Sequence, residues 1–149
     1  MVAIGYSVSG DNQLAEDAAQ ESFARALVNL KNLKNKTRFA PWLAAICRNV
    51  AKDMVTAKAK VRQVTTEDFS QAAQNSNTNE SVLVIRRAIE QLPASAKELI
   101  VLRYYNNLSY QEISSVLGIS KATINGRLTR AKRKMAKYLK RTGFPENQL

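Results

Sequence analysis

The stretch LSYQEISSVLGISKATINGRLTRAKRKM, Leu108–Met135, decides the fold. Ser109 with Glu112 three positions on predicts a capping box that opens a short helix. Leu117-Gly118 closes it, because glycine takes the left-handed C′ conformation without a Cβ clash. Ser120 is placed to cap a last helix running to about Leu139. Small Ser114 allows the two helices to approach, and Ile113, Leu117, Ile119, Ile124 and Leu128 supply the core that fixes their angle. This is helix-turn-helix character. Upstream, Val82, Ile85, Ile89 and Leu92 stripe a helix that stops at Pro93, and Ser95 with Glu98 predicts a second capping box for a helix through about Tyr105.

Charge sharpens the reading. Lys121, Arg127, Arg130, Lys132, Arg133, Lys134, Lys137, Lys140 and Arg141 follow with no acid between Ile113 and Pro145. So many cations on one helix repel one another unless an anionic partner is present, and nucleic acid is the commonest partner of that kind. The second helix of such a pair enters the major groove with its N-terminal part toward the bases. Lys121, Ala122, Asn125, Gly126 and Thr129 then face bases, and Arg127, Arg130, Lys132 and Arg133 lie nearer phosphates.

The whole chain of 149 residues has 23 Lys and Arg, 12 Asp and Glu and no His, a net charge of +11. Its 45% apolar content is that of a folded protein, and its 5 Gly and 3 Pro are too few for a many-turned β structure. The expected fold class is all-α. One Cys (Cys47) and no His exclude a His-based catalytic triad, a His or multi-Cys zinc site and an internal disulfide. No enzyme activity, catalytic residue, metal or cofactor is expected. No apolar run, Leu99–Leu102 included, is long enough for a membrane span, and the first residues lack the features of a signal peptide. A cytoplasmic protein without membrane insertion is expected.

From Thr65 to Asn79, ten of fifteen residues are Ser, Thr, Asn or Gln, and no helical stripe can be drawn. The chain therefore reads as two small helical domains, 1–60 and 81–149, joined by a polar linker, 61–80. Residues 81–149 hold 13 cations against 4 acids, whereas residues 1–80 hold 10 against 8, so the basic surface lies mainly in the second domain. In the first, Ala15, Ala18, Ala19, Phe23, Ala26, Leu27 and Leu30 form an amphipathic stripe. Asp17, Gln20 and Glu21 form an acid and amide stripe on another face. Pro41, suited to a first helical turn, opens a second helix whose apolar set is Trp42, Leu43, Ile46, Cys47, Val50 and Met54. Arg48 and Lys52 make a cationic ridge beside it.

The run AEDAAQESFARAL (Ala15–Leu27), then Phe39, Pro41-Trp42-Leu43, Ile46, Arg48-Asn49 and Asp53, and finally Leu92–Met135 resemble a bacterial RNA polymerase sigma factor of the extracytoplasmic-function group. The resemblance covers nearly all of the chain after Gly10, in two blocks in the family's order. It implies a first domain, sigma region 2, that opens the promoter minus-ten element and binds the β′ clamp helices of core RNA polymerase. It implies a second, sigma region 4, that reads the minus-thirty-five element and binds the β flap. Asp17, Gln20 and Glu21 match the clamp-binding surface. Asn35, Lys36 and Arg38 fall in the loop that captures an extruded promoter base, and Arg48, Asn49 and Lys52 match the helix face along the minus-ten strand. Lys121, Ala122, Thr123, Asn125, Gly126, Arg127, Thr129 and Arg130, with Arg133 beyond, match the minus-thirty-five reader. An anti-sigma factor is a further partner the resemblance brings with it.

The chain departs from the family pattern in two ways. Members begin with a further helix, of which Ala3–Val8 represents the end, so the first domain is expected to be the less stable one. Asn125 and Gly126 stand where many relatives carry Lys or Arg and Ser, so base preference does not transfer. Read on their own, Asp17, Gln20 and Glu21 are a solvated helix face, Trp42 is a core anchor, Cys47 is a small buried hydrophobe, and Lys132–Arg141 is a phosphate-binding run. Two rival functions remain open at this point. One is a free-standing helix-turn-helix regulator that binds duplex DNA without polymerase. The other is a truncated remnant whose second domain survives as a basic interaction module.

Overall fold

In the computed structural model, residues 1–62 and 80–144 are described. Most of the expected linker, 61–80, lies outside them. Among the described residues the fold is all-α, with α1 Val2–Ser9, α2 Asn12–Asn29, α3 Phe39–Arg62, α4 Glu80–Glu90, α5 Ala94–Ile100, α6 Tyr110–Leu117 and α7 Lys121–Arg141. Two short 3₁₀ turns, Leu30–Asn32 and Lys36–Arg38, connect α2 to α3, and a single π turn, Val101–Tyr105, extends α5.

The helix ends follow from local chemistry. Gly10 ends α1 at φ 68°, and the Asp11 carboxylate accepts from the Gln13 and Leu14 N–H groups to open α2. At α6 the Ser109 hydroxyl accepts from the Glu112 N–H while the Glu112 carboxylate accepts from the Ser109 N–H at 2.7 Å. Gly118 terminates α6 at φ 68°, and Ser120 caps α7 by accepting from Thr123 N–H. The turn between them is tied by the Ser114 hydroxyl, which donates to the Ile119 carbonyl at 2.7 Å.

One expected cap is absent. The helix after Pro93 starts at Ala94, and the Ser95–Glu98 box does not form. Pro93 has φ −63°, and its carbonyl accepts from the Ala96 and Lys97 N–H groups, so the helix begins before Ser95 can cap it. Glu98 is thereby released for an ion pair with Arg48 of α3.

The α2 stripe is also narrower than its sequence suggests. Ala15, Ala18, Ala19, Ser22 and Ala26 are buried, whereas Phe23, Leu27 and Leu30 are exposed. Small residues face the neighbours because the backbones come close. A Cβ on Gly5 would lie 2.9 Å from the Ala15 Cα and carbonyl oxygen. At 1.5 Å rise per residue, α1 spans only about 12 Å, less than half the length of α2, so the C-terminal half of α2 lies beyond its reach.

The apolar layer opposite α1 and α3 comes from the second half of the chain. Ile4 of α1 and Ala44 and Cys47 of α3 belong to one core with Leu99, Leu102, Ile113, Ile124 and Leu128. A second cluster joins Ala18 to Val50 and Ala51, and a third joins Ala88 to Leu139 and Phe144. An Asp11–Lys58 ion pair of 2.6 Å ties the start of α2 to the far part of α3.

Two glycines predict opposite outcomes. Gly5→Ala should lower the melting temperature, because the clash is with backbone: overpacking costs roughly 1–3 kcal/mol, against ~1 kcal/mol gained in helix propensity. Gly126→Ala, where a Cβ meets open space inside α7, should raise the melting temperature, through up to about 1 kcal/mol of added stability. Thermal unfolding of the two variants checks both.

Acid should destabilise the fold through two carboxyls. Lys58 and the Leu14 N–H hold Asp11 below its ordinary range, and Ser109 does the same for Glu112. A depressed folded pKa contributes stability above the unfolded value, about 3.9 for Asp and 4.3 for Glu, which is lost as pH falls through that value toward the folded one. Asp11→Asn should flatten the dependence of melting temperature on pH below about 5.

Candidate nucleic-acid interface

The cationic helix α7 is fixed by its apolar side. Ile124, Leu128, Ala131 and Leu139 are buried, which turns Lys121, Ala122, Asn125, Thr129, Arg130 and Arg133 to solvent. Thr123, Gly126 and Arg127 are half-buried at its edges. The Thr129 hydroxyl donates to the Asn125 carbonyl, and the Thr123 hydroxyl pairs with that of Ser120. Of the exposed residues near the N-terminus of α7, Lys121 and Asn125 present side chains suited to base edges. Arg127, Arg130 and Lys134 line a cleft of about 360 Å³ with Ser95 at the start of α5. Lys132 lies apart, its ammonium 5.3 Å from the centre of the Tyr104 ring.

The first half presents a second face. The 3₁₀ turn Lys36–Arg38 is capped by Asn35, whose side-chain oxygen accepts from the Thr37 N–H at 3.0 Å and from its hydroxyl at 2.7 Å. Asn35, Lys36 and Arg38 are exposed there, and Asn49 and Lys52 are exposed on α3. Beside them, a cleft of about 340 Å³ is lined by Arg25, Asn29, Asn32, Trp42, Ile46 and Asn49. Trp42 is half-buried, with Phe39 6.0 Å away ring to ring, so it is both a packing residue and a cleft wall. An aromatic wall, three amides and a guanidinium suit a flat base with hydrogen-bonding edges. Arg25, Asn29 and Asn32 were not singled out in the sequence. The recurrence of Asn at 29, 32 and 35 was the available signal.

Arg48 differs from its neighbours. It is not presented to solvent with Asn49 and Lys52 but pairs with Glu98 at 2.5 Å, both side chains being largely buried. On the remaining face of α2, Gln20 is exposed and Asp17 and Glu21 are half-buried. Asp17 accepts from the Gln13 amide, and Glu21 pairs with Arg25 at 2.7 Å within the helix. Exposed Phe23, Leu27 and Val28 adjoin this stripe in sequence. Among the described residues, no helix is long and apolar enough to cross a membrane, and no group of three His, Cys, Asp or Glu is placed to hold a metal.

The sigma-70 region 2 family matches residues 1–61, and the sigma-70 region 4 family matches residues 83–135. The chain is 28% identical over 144 residues to the ECF RNA polymerase sigma factor SigE of Mycolicibacterium smegmatis, covering 91% of this chain and 56% of that protein. It is 31% identical over 136 residues to the ECF RNA polymerase sigma factor SigM of Bacillus subtilis, covering 87% and 82%. The fold is similar to that of the sigma factor RpoE from Bartonella quintana, solved in complex with the anti-sigma factor NepR: TM-score 0.75, 22% identity, 93% of this chain and 89% of that one. With a region 2 match followed by a region 4 match, and a relative above 30% identity that it largely spans, the chain belongs to the extracytoplasmic-function sigma factors.

Proposed function

We propose that this protein binds core RNA polymerase and directs it to promoters, acting by binding and strand opening without covalent catalysis, on polymerase in the cytoplasm. The supporting observation is the order of its two surfaces. A strand-suited face on α3 and the turn before it precedes a duplex-suited face on α7, each within its matched family segment. A plain regulator needs only the second. The region 2 domain is taken as 1–60 and the region 4 domain as 81–149.

Asn35, Lys36, Arg38, Arg48, Asn49 and Lys52 are assigned to the minus-ten strand, with the Trp42 cleft receiving an extruded base. Unstacking costs a few kcal/mol, which stacking and a cationic groove offset without ATP. Lys121, Ala122, Thr123, Asn125, Gly126, Arg127, Thr129, Arg130 and Arg133 are assigned to the minus-thirty-five duplex. Asp17, Gln20 and Glu21 are assigned to the β′ clamp helices, and the region 4 domain to the β flap. The complex in which the Bartonella relative was solved supports an anti-sigma factor as a further partner. Capture of core polymerase followed by promoter-dependent transcription tests the reading. Duplex binding without affinity for polymerase would make the protein a free-standing regulator.

The docking assignment predicts that Asp17→Lys with Glu21→Lys weakens polymerase binding while the melting temperature changes little, since surface charges whose partners lie within one helix contribute little to stability but can matter at a complementary interface. Titration against polymerase alongside thermal unfolding checks it.

For α7, Asn125→Ala should cost about 1–3 kcal/mol on the preferred duplex and much less on one changed at the contacted base pair. Arg130→Ala should weaken both alike and reduce the salt slope by about one ion. Binding to duplexes carrying each base at every minus-thirty-five position separates the two. Lost discrimination with Arg130→Ala but not with Asn125→Ala would mean that α7 lies rotated in the groove.

A further inference from the structure

Three cations of α7 line one cleft without an acid among its walls. Arg127, Arg130 and Lys134 follow one another at three- and four-residue steps, so they share a helix face, and they border the cleft of about 360 Å³ between α7 and the start of α5. Among the described residues none of the three is in an ion pair, and Glu90 and Glu98 pair elsewhere, with Arg86 and Arg48. Like charges at this spacing repel. Ser95 adds an exposed hydroxyl on the other side. Because Pro93 starts α5 at Ala94, Ser95 caps nothing, and its hydroxyl has no hydrogen-bond partner among the described residues. The apolar lining comes from buried Leu92, Ala96 and Ala131. A concave site with charges of one sign and apolar walls focuses their field on a counter-ion.

We infer that the cleft between α5 and α7 binds a chain of linked phosphates, as carried by a nucleoside triphosphate or an inorganic polyphosphate, and that the bound chain competes with duplex DNA for α7. The two guanidiniums offer paired N–H donors to phosphate oxygens, Lys134 adds a compact positive charge, and Ser95 adds a neutral donor. Linked phosphates bring several negative charges into one cleft, which a single phosphodiester does not. Position also separates this ligand from the promoter. Thr129 lies about 12 Å along the helix axis from Lys121, the width of a major groove, and Lys134 lies about 8 Å further on. The far end of the cleft is therefore past the groove that the N-terminal part of α7 enters. Arg127 and Arg130 are the shared residues, so the competition rests on their proposed assignment to the minus-thirty-five duplex. The phosphate site itself does not.

The test titrates the full chain with inorganic tripolyphosphate, ATP and a fluorescent duplex, without divalent cations and at constant ionic strength, so that general screening is the same throughout. Ser95→Ala with Lys134→Ala touches surface positions that are not assigned to the duplex. This variant should bind tripolyphosphate about ten-fold more weakly than the wild type, while its duplex affinity stays within about two-fold. Lys137→Ala removes the same charge from an exposed position outside the cleft and should change tripolyphosphate affinity by less than about two-fold. Equal losses in the two variants would mean general attraction to a cationic helix and overturn the inference. So would a loss of duplex affinity matching the loss for tripolyphosphate, which would give the cleft to the DNA backbone. Tighter binding of ATP than of tripolyphosphate assigns the apolar lining to a nucleoside, and equal binding assigns the site to the inorganic chain. Saturating tripolyphosphate should displace the duplex from the wild type and less readily from the double variant. Binding without displacement keeps the phosphate site and removes the competition, and Arg130→Ala on the duplex then reads the minus-thirty-five assignment separately.

Discussion

Ile4 sits in an eight-residue helix and is completely buried, and much of the structure depends on what buries it. A helix that short has no stability of its own in water, where nucleation is unfavourable and isolated helices of fewer than about 12–15 residues are marginal. Its order comes from packing. Gly5 lets α1 lie against the Ala15 backbone on one side, and Ile4 enters the core built with Leu99 and Leu102 on the other. The region 2 half thus has a short helix as one wall and borrows apolar surface from the region 4 half to complete the burial. Separating the halves exposes Ile4, Ala44 and Cys47 to water, an apolar cost that must be offset by whatever separates them.

The same contact shapes the electrostatics. A surplus of eleven positive charges on 149 residues favours expansion and non-specific attraction to polyanions. In this fold the few acids are placed where they matter. Glu98 pairs with Arg48 of the other half, Glu112 lines a cleft together with Arg38, and Asp11 joins α2 to α3 through Lys58. Lys121, Arg130 and Arg133 of α7 have no part in these contacts and are exposed. Lys132 has an aromatic partner at Tyr104. The molecule is accordingly polarised, with Arg48 paired to Glu98 at the seam between the halves and exposed cations along α7. That division follows from the topology, because α5 and α6 lie against α1 and α3 while the apolar stripe of α7 turns its opposite face outward.

Much was legible in the residues alone. The Ser109–Glu112 box, the left-handed Gly118 and the Ser120 cap are decided within four or five residues of chain, so the turn and the entry to α7 could be read directly. The α7 face was equally legible, because a 3.6-residue period with Ile124, Leu128 and Ala131 inside leaves Lys121, Asn125 and Arg130 outside whatever the rest of the chain does. The family match added the order of the two blocks. Local reading failed where two segments compete for one role: Ser95 had the cap pattern, but Pro93 started the helix earlier.

Tertiary structure alone decided which of several similar side chains ended inside. Phe23 and Leu27 carry the strongest apolar signal on α2, yet the Gly5–Ala15 contact selects the small-residue face for burial and leaves both in solvent. Arg48 and Lys52 lie one turn apart and read alike as a ridge, yet Arg48 is paired with Glu98, fifty residues away, and Lys52 is exposed. No periodicity within either helix encodes that pairing, since it depends on how the second half packs against α1 and α3. The sequence determined the helices, their caps and the outward face of α7, because those are set by contacts within a turn or two. The partner of each remaining face depended on contacts between distant segments, and these exist only once the helices have packed.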